Sequence, residues 1–159
     1  MREFMHNQHL DLPAFDYRYK QSGGKTYLFD AFRKKYVVLT PEEWVRQHLL
    51  HYLWSQLGFP MALISVEKSF LVEGLQRRYD AVVYDRAFQP LLLIECKAPS
   101  VGVDQSVFDQ AARYNRTLKV PFMLVSNGLT HILAKVDGEA GRYIFANGLL
   151  GYEALMAAQ

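Results

Sequence analysis

The period of the apolar positions changes several times along the chain, and each change predicts an element. Two β-rich runs, residues 25–31 and 34–40, predict a hairpin. Thr40-Pro41-Glu42-Glu43 is typical of a helix start, with a capping Thr, a Pro at the first helical position and acids in the first turn. This helix is predicted to reach about Leu57 and to end at Gly58.

The remainder of the chain predicts strands and helices in a mixed order. Strands are predicted at residues 61–70, 77–85, 90–98, 121–126 and 130–136, and helices at residues 104–118 and near the C-terminus. Asn127-Gly128 predicts a tight turn between the last two strands. The order favours an α/β (α+β) domain with a mixed central sheet flanked by helices. Residues 1–39 are interpreted as an N-terminal extension with a β-hairpin packed on the core, and residues 40–159 as the main domain, together forming one globular unit.

Composition narrows the class of protein. An apolar fraction of 50% in 159 residues is enough for a core and excludes intrinsic disorder. A single cysteine excludes a disulfide framework and a cysteine-based zinc site. Since no apolar stretch is long enough for a signal peptide or a membrane span, a cytoplasmic protein without membrane contact is predicted. Residues 1–40 hold seven basic and four acidic side chains, so the positive charge lies in the N-terminal quarter.

Leu91-Leu92-Leu93-Ile94-Glu95-Cys96-Lys97 places charged residues at the end of a strand that is apolar on both faces. Because side chains alternate along a strand, Glu95 and Lys97 are expected on one face and Cys96 on the other, in the apolar layer. Buried charges are unfavourable unless they are paired. Taken alone, Glu95 and Lys97 could form a structural ion pair.

Asp80 lies on the preceding predicted strand, fifteen residues before Glu95, where a short hairpin can place it beside Glu95. Two adjacent carboxylates repel each other, and a divalent cation with hard oxygen ligands removes this repulsion. We therefore predict an Mg²⁺ site, also accessible to Mn²⁺, with Asp80, Glu95 and the backbone carbonyl of Cys96 as ligands. Lys97 is predicted to orient or deprotonate a water, or to stabilise charge that develops on a phosphate.

Helical residues supply further candidates. At 100° per residue Glu42 shares a stripe with Val45, Leu49 and Leu53, so Glu42 is preferred to Glu43 as an outer ligand, although a partner of the helix dipole is the alternative. Gln110 and Tyr114 are four residues apart, on one helix face, and can orient Lys97 or hold a phosphate. Contacts with nucleic acid are predicted for a set of basic side chains that a solvated surface also explains: Arg78, Arg113 and Arg116.

Asp80, then Glu95-Cys96-Lys97, then Gln110-x-x-x-Tyr114 resembles the PD-(D/E)xK nuclease superfamily pattern with its glutamine–tyrosine helix motif. The stretch from Thr40 to Gln47, through Ile94 to Pro99, to Ser126-Asn127-Gly128 resembles the N-terminal domain of type I restriction enzyme R subunits, over residues 36–136. The resemblance implies a restriction-endonuclease-like three-layer α-β-β-β-α-β core and Mg²⁺-dependent hydrolysis of DNA phosphodiesters. It also implies that Asp80 and Glu95 bind metal, that Lys97 handles the water, and that Glu42 is the acid of the first helix.

The sequence departs from the family pattern in two respects. Asp80 follows Tyr79 rather than a proline. R subunits carry a motor after the nuclease, whereas this chain ends at Gln159, and Gly24-Lys25-Thr26 is no phosphate loop because position 19 is Tyr rather than Gly. A separate motor or specificity subunit is therefore expected as a partner besides DNA, and a homodimer is compatible with the sequence. A non-catalytic DNA-binding or assembly module, or a purely structural domain, remains an alternative to a nuclease.

Overall fold

The computed structural model describes residues 8–137 and 142–159. The first seven residues of the predicted extension therefore lie outside the described residues. The strands are β1 (Tyr19–Ser22), β2 (Lys25–Asp30), β3 (Lys35–Val38), β4 (Ile64–Val72), β5 (Leu75–Tyr84), β6 (Pro90–Cys96), β7 (Phe122–Ser126), β8 (His131–Asp137) and β9 (Arg142–Phe145). The helices are α1 (Pro41–Ser55), α2 (Gln105–Ala112), α3 (Asn115–Leu118) and α4 (Tyr152–Ala157), with a single 3₁₀ turn at Met61–Leu63.

Six strands form the central sheet in the order β4-β5-β6-β7-β8-β9, and only the β6–β7 pair is parallel. The predicted mixed central sheet with flanking helices is confirmed. The crossover that the parallel pair requires is made by α2 and α3, as expected for a connection between parallel neighbours. Within the described residues no helix is both long and apolar enough to cross a membrane.

Side chains on the two faces of the central sheet form two separate cores, which makes the domain three-layered. Ala81, Leu92, Ile94 and Leu124 pack on one face against residues of α1 and α4. Val82, Leu93, Met123 and Val125 pack on the other face around Phe108 and Ala112 of α2. The buried central strands therefore carry apolar side chains in both directions, as their sequence predicts.

The N-terminal extension packs on the same core. The predicted hairpin is present as β2 and β3, which pair antiparallel, and β1 adds a third strand on the other side of β2. Leu28 of β2 is fully buried in the core cluster that contains α1. Before β1, the backbone N–H of Asp11 donates to the carbonyl of Gly128 at 2.7 Å, in the turn between β7 and β8. The boundary at residue 39 stays a prediction.

Helix α1 begins as the sequence predicts and is buried more fully than one apolar stripe requires. The hydroxyl of Thr40 accepts a hydrogen bond from the backbone N–H of Glu43 at 3.1 Å. The sheet covers one side of the helix, and the aromatic rings of Phe15 and Tyr17 cover another side, where Tyr17 contacts Trp44 and Phe15 stacks on His51. The charged residues Glu43 and Arg46 are consequently buried inside the domain.

The predicted helix over residues 104–118 is wrong in its second half. Asp104 caps α2 by accepting from the N–H of Val107 at 3.0 Å, but α2 ends at Ala112, and α3 is a separate turn. At the break the N–H of Arg113 bonds the carbonyl of Gln110, three residues back, and after α3 the buried side chain of Asn115 bonds both the carbonyl and the N–H of Val120. Lys119, at φ 57, then adopts a left-handed conformation that ends the helical segment.

Candidate active site

The register of β5 on β6 brings the two predicted metal-binding carboxylates together. Ala81 pairs with Ile94, so the preceding residue Asp80 lies next to Glu95. The backbone N–H of Cys96 donates to Oδ2 of Asp80 at 2.7 Å, which fixes this carboxylate against the end of β6. Cys96 itself is buried in the core cluster on the α1 side, as predicted, and burial raises the pKa of its thiol.

The regular alternation of β5 breaks at Asp80. Tyr79 and Val82 pack in the core cluster on the α2 side, whereas Ala81 packs on the α1 side. The neighbouring strand is irregular at the same place, because Glu67 has a positive φ of 58 and is missing from the ladder between Val66 and Lys68. The break lets Asp80 contact a residue of α1, which a regular strand does not allow.

That residue is Arg46. Its Nη1 lies 3.4 Å from Oδ1 of Asp80, and its Nε lies 2.6 Å from Oε2 of Glu43. Burial by itself lowers the pKa of Arg46, but the hydrogen bond and charge of Glu43 and the charge of Asp80 outweigh it, so the pKa is raised. Arg46 is therefore a permanent cation beside the predicted metal ligand Asp80.

Arg46 belongs to a network of charges that links the N-terminal sheet to the candidate site. Arg33, in the turn after β2, pairs with Asp30 and with Glu43. Both arginines also approach Glu67, Arg33 at 3.3 Å and Arg46 at 3.7 Å. Two arginines thus neutralise four carboxylates in part: Asp30, Glu43, Glu67 and Asp80.

The preference for Glu42 as the inward-facing acid of the first helix is wrong with respect to burial. Glu43 is 4% exposed and is held by both arginines, whereas Glu42 is exposed. The helical period of 100° per residue predicted the wrong acid as buried, because the N-terminal extension covers a second side of α1. The charge of Glu42 nevertheless raises the pKa values of Asp80 and Glu95, which keeps Glu42 within electrostatic reach of both. An outer-ligand role of Glu42 stays a prediction.

Glu95 and Lys97 face the α2 side, where they line one cavity of about 310 Å³ together with Gln110 and Tyr114. The break between α2 and α3 does not separate Gln110 from Tyr114. The remaining lining side chains come chiefly from β5 and α2: Gln76, Arg77, Arg78, Tyr79, Val107 and Ala111. The structure thus brings Asp80, Glu95, Lys97, Gln110, Tyr114 and Arg78 to one region.

Arg113 and Arg116, the other predicted nucleic-acid contacts, line a neighbouring concavity. It is bounded also by Ser106, Asp109 and Tyr143, and it shares Gln110 with the first cavity. Both arginines are exposed. They extend the basic surface around the candidate site without lining the cavity that holds Glu95.

The pKa of Glu95 is shifted strongly by its surroundings. Burial first, and then the adjacent charge of Asp80, raise the pKa of Glu95 to about 8. Burial also raises the pKa of Asp80, which the hydrogen bond from Cys96 and the charge of Arg46 offset only in part. The positive charge near Asp80 and Glu95 is therefore too small to compensate both carboxylates. Within residues 8–137 and 142–159, no group of three His, Cys, Asp or Glu side chains is arranged to hold a metal ion.

Three residues at the site were not found from the sequence: Arg46, Arg77 and Tyr79. Arg77 lies on the same strand as Asp80 and stacks on Tyr114. Tyr79 is buried beneath the cavity, where burial and then the charge of Glu95 raise the pKa of its hydroxyl to about 12. A strict period of two would place Tyr79 and Arg77 on the face opposite Glu95, so only the break in β5 brings them to the cavity that Glu95 lines. Arg46 gave no sequence signal either, because 34 residues separate it from Asp80.

The raised pKa of Glu95 predicts that the metal-free protein loses stability as the pH rises. Between its ordinary pKa of 4.5 and the folded-state value of about 8, Glu95 is protonated in the native state and ionised in the unfolded state. The native state then binds more protons, so each pH unit in this window removes up to about 1.4 kcal/mol of unfolding free energy. Urea unfolding in EDTA between pH 5 and pH 8 measures this loss.

The variant Glu95→Gln is the control, because it removes the titrating group and keeps the shape. Its unfolding free energy should fall less steeply over the same pH range than that of the unmodified chain. The comparison is needed because the lowered pKa values of His48 and His51, which burial causes, give the opposite slope as the pH rises through 6.5. Parallel pH profiles for the two proteins would contradict the prediction.

Comparisons with known proteins identify a family and a similar fold. The model of one family, described as type I restriction enzyme R protein N terminus, matches residues 41–149. Among solved structures, the chain is similar to a fragment assigned as an HsdR subunit of a type I restriction enzyme from Vibrio vulnificus, with a TM-score of 0.55 and 22% identity. The match covers 75% of this chain and 25% of that fragment, so the chain spans about a quarter of its length. No curated protein matches the chain.

Proposed function

Because the chain belongs to the family of type I restriction enzyme R protein N termini, we propose that it hydrolyses DNA phosphodiester bonds with a divalent cation. The observation that carries the proposal is the juxtaposition of Asp80 and Glu95, with Lys97 on the same cavity wall as Glu95. Adjacent, partly buried carboxylates are unfavourable for stability alone, so their occurrence supports a function that uses both charges.

The donor set fits Mg²⁺, and Mn²⁺ as a substitute. Oδ2 of Asp80 is occupied by the N–H of Cys96, whereas Oδ1 has, among the described residues, only the long 3.4 Å contact with Arg46 and can accept a cation. Glu95 and the Cys96 carbonyl would complete the protein ligands. When bound, the cation supplies Lewis-acid polarisation of the scissile phosphate. Since ligands must be deprotonated, binding takes the proton from Glu95, whose pKa is near 8 in the metal-free protein.

Lys97 supplies hydrogen bonds and positive charge from the other side of the site. Its backbone N–H donates to the carbonyl of Ser126 at 2.8 Å, which extends the β6–β7 pairing and holds the lysine at the sheet end. The ammonium group has three donors. It can hold the attacking water and offset the negative charge that develops on the phosphate oxygens.

The surrounding residues are proposed to hold Lys97 and the DNA. Gln110 and Tyr114 share the cavity with Lys97 and support its position, and Arg78 at the cavity rim contacts the DNA backbone. Arg113 and Arg116, on the adjoining surface, meet more distant phosphates. By analogy with the R subunits that name the family, a motor or specificity subunit is the proposed protein partner, as expected of a cytoplasmic restriction–modification protein.

Incubation of the purified chain with supercoiled plasmid tests the proposal. We expect nicked and linear products with Mg²⁺ or Mn²⁺, and intact plasmid when EDTA is present. Intact plasmid with both cations, together with retained DNA binding, would contradict the nuclease and leave the non-catalytic DNA-binding module as the function.

A further inference from the structure

Arg77 occupies a defined position beside the candidate site without a role in the proposed chemistry. It lies on β5 and lines the cavity that also contains Glu95 and Lys97. Its guanidinium carbon lies 3.9 Å from the centre of the Tyr114 ring. This distance is a stacking contact, which orients the planar guanidinium and leaves its edge free.

The described residues leave this guanidinium without a hydrogen-bond partner at its Nε. Its Nε is buried and, among the described residues, has no hydrogen-bond acceptor, nor does any carboxylate there form an ion pair with Arg77. The hydroxyl of Tyr79, also on the cavity wall, is likewise buried without a partner in the described part of the chain, and Tyr79 as a whole is 3% exposed. Buried donors without acceptors are unfavourable, and both residues line a cavity that a ligand with several oxygens can fill.

We propose that Arg77, held flat on the ring of Tyr114, binds a phosphate of the DNA strand next to the one that is cleaved. The substrate class rests on the proposed function. A phosphate suits the site because a planar guanidinium binds two phosphate oxygens side by side, and the Tyr79 hydroxyl can donate to the same group. Tyr114 thereby acts as a platform through its ring, which differs from an action of its hydroxyl on Lys97.

Binding of a short fluorescein-labelled DNA duplex, followed by fluorescence anisotropy in EDTA at several salt concentrations, tests this subsite without any cleavage. We expect Arg77→Ala to raise the dissociation constant roughly tenfold, as the loss of one charged hydrogen-bonding contact does. The slope of log K against log salt should fall by about 0.9, the value for one phosphate contact. Arg77→Lys should retain the salt slope and recover only part of the affinity, because lysine has no planar fork.

Arg142→Ala is the matched control. It removes the same charge from an exposed position on β9, at the edge of the sheet opposite the β4–β5 pair. Its dissociation constant should stay within about twofold of the unmodified value. Equal losses of binding for Arg77→Ala and Arg142→Ala would show a general effect of net charge and overturn the proposal.

Substitution of Tyr114 separates the ring from the hydroxyl. Tyr114→Phe keeps the ring and should bind the duplex as the unmodified chain does, whereas Tyr114→Ala should show the same loss as Arg77→Ala. A loss with Tyr114→Phe equal to that with Tyr114→Ala would assign the effect to the hydroxyl and overturn the stacking role.

The failure of this inference is distinguishable from failure of the nuclease. A chain that binds the duplex through Arg77 but leaves plasmid intact supports the subsite and contradicts the nuclease. Unchanged affinity of Arg77→Ala, or no binding of the duplex by the unmodified chain, overturns the subsite whatever the cleavage assay shows. Circular dichroism of each variant verifies folding, and Arg77→Lys and Tyr114→Ala carry the test where Arg77→Ala does not fold.

Discussion

Lys97→Ala is expected to lower the rate of DNA cleavage by about 10²–10⁴-fold, the range for loss of a group that assists proton transfer or stabilises developing charge. Lys97 lines the cavity with Glu95, and its backbone is held by Ser126 through a bond that the substitution preserves. The side chain is only partly buried, so the fold and the carboxylates should remain in place. The loss is therefore expected in the chemical step rather than in stability.

Single-turnover cleavage of plasmid with excess enzyme measures this step directly. Lys97→Arg retains the positive charge but cannot be deprotonated, so a rate as low as that of Lys97→Ala would point to proton transfer, and a partial recovery to charge stabilisation. Lys135→Ala, on β8, removes a lysine away from the cavity and should leave the rate unchanged. Cleavage by Lys97→Ala within about threefold of the unmodified rate would contradict the role of Lys97.

Arg46→Ala is expected to reduce the free energy of unfolding by about 3–5 kcal/mol, the effect of removing one partner of a buried ion pair. Glu43 is 4% exposed and loses its 2.6 Å contact, while Asp80 and Glu67 lose their nearby cation. Arg33 then remains paired with three of the four carboxylates, Asp30, Glu43 and Glu67, while Asp80 keeps no arginine of the network. The substitution also leaves a void where this long side chain of α1 was buried inside the domain, which adds to the loss.

Urea unfolding at neutral pH in EDTA measures the change. Arg86→Ala provides the contrast, because the Arg86–Glu153 pair lies on the surface, with side chains 58% and 72% exposed, and water already screens its charges. The urea midpoint of Arg86→Ala should remain that of the unmodified chain. Equal midpoints for Arg46→Ala and Arg86→Ala would show that the internal network contributes nothing to stability.

The charge network also relates the N-terminal extension to the chemistry proposed for the core. Asp30 and Arg33 lie outside the stretch that matches the family, yet Arg33 binds Glu43, which in turn orients Arg46 beside Asp80. The position of a predicted metal ligand therefore depends on residues of the extension. Because each charge in this network is held by neighbours on other elements, its members are expected to act together rather than additively.

Helices and strands could be predicted from the sequence where the apolar positions kept one regular period. The buried run Leu91–Ile94 and the capped start at Thr40 gave local signals that the tertiary structure did not change. β1 and β9, which have four mostly exposed residues each, were not predicted, and neither shows an alternation of buried and exposed side chains. The end of the helical segment after α3 depended on the side chain of Asn115 and its bonds to Val120, which no helical period reveals.

The sequence by itself determined the layered α+β fold, the placement of Asp80 beside Glu95, and the face shared by Glu95 and Lys97, because these follow from strand period and hairpin length. Only the tertiary structure decided which acid of α1 is buried, since the extension covers a side of the helix that an isolated period leaves open. It also decided that Arg46 lies beside Asp80 and that Arg77 stacks on Tyr114. These contacts join residues more than thirty positions apart, and their geometry arises from packing and a local break in β5 rather than from any repeat along the chain.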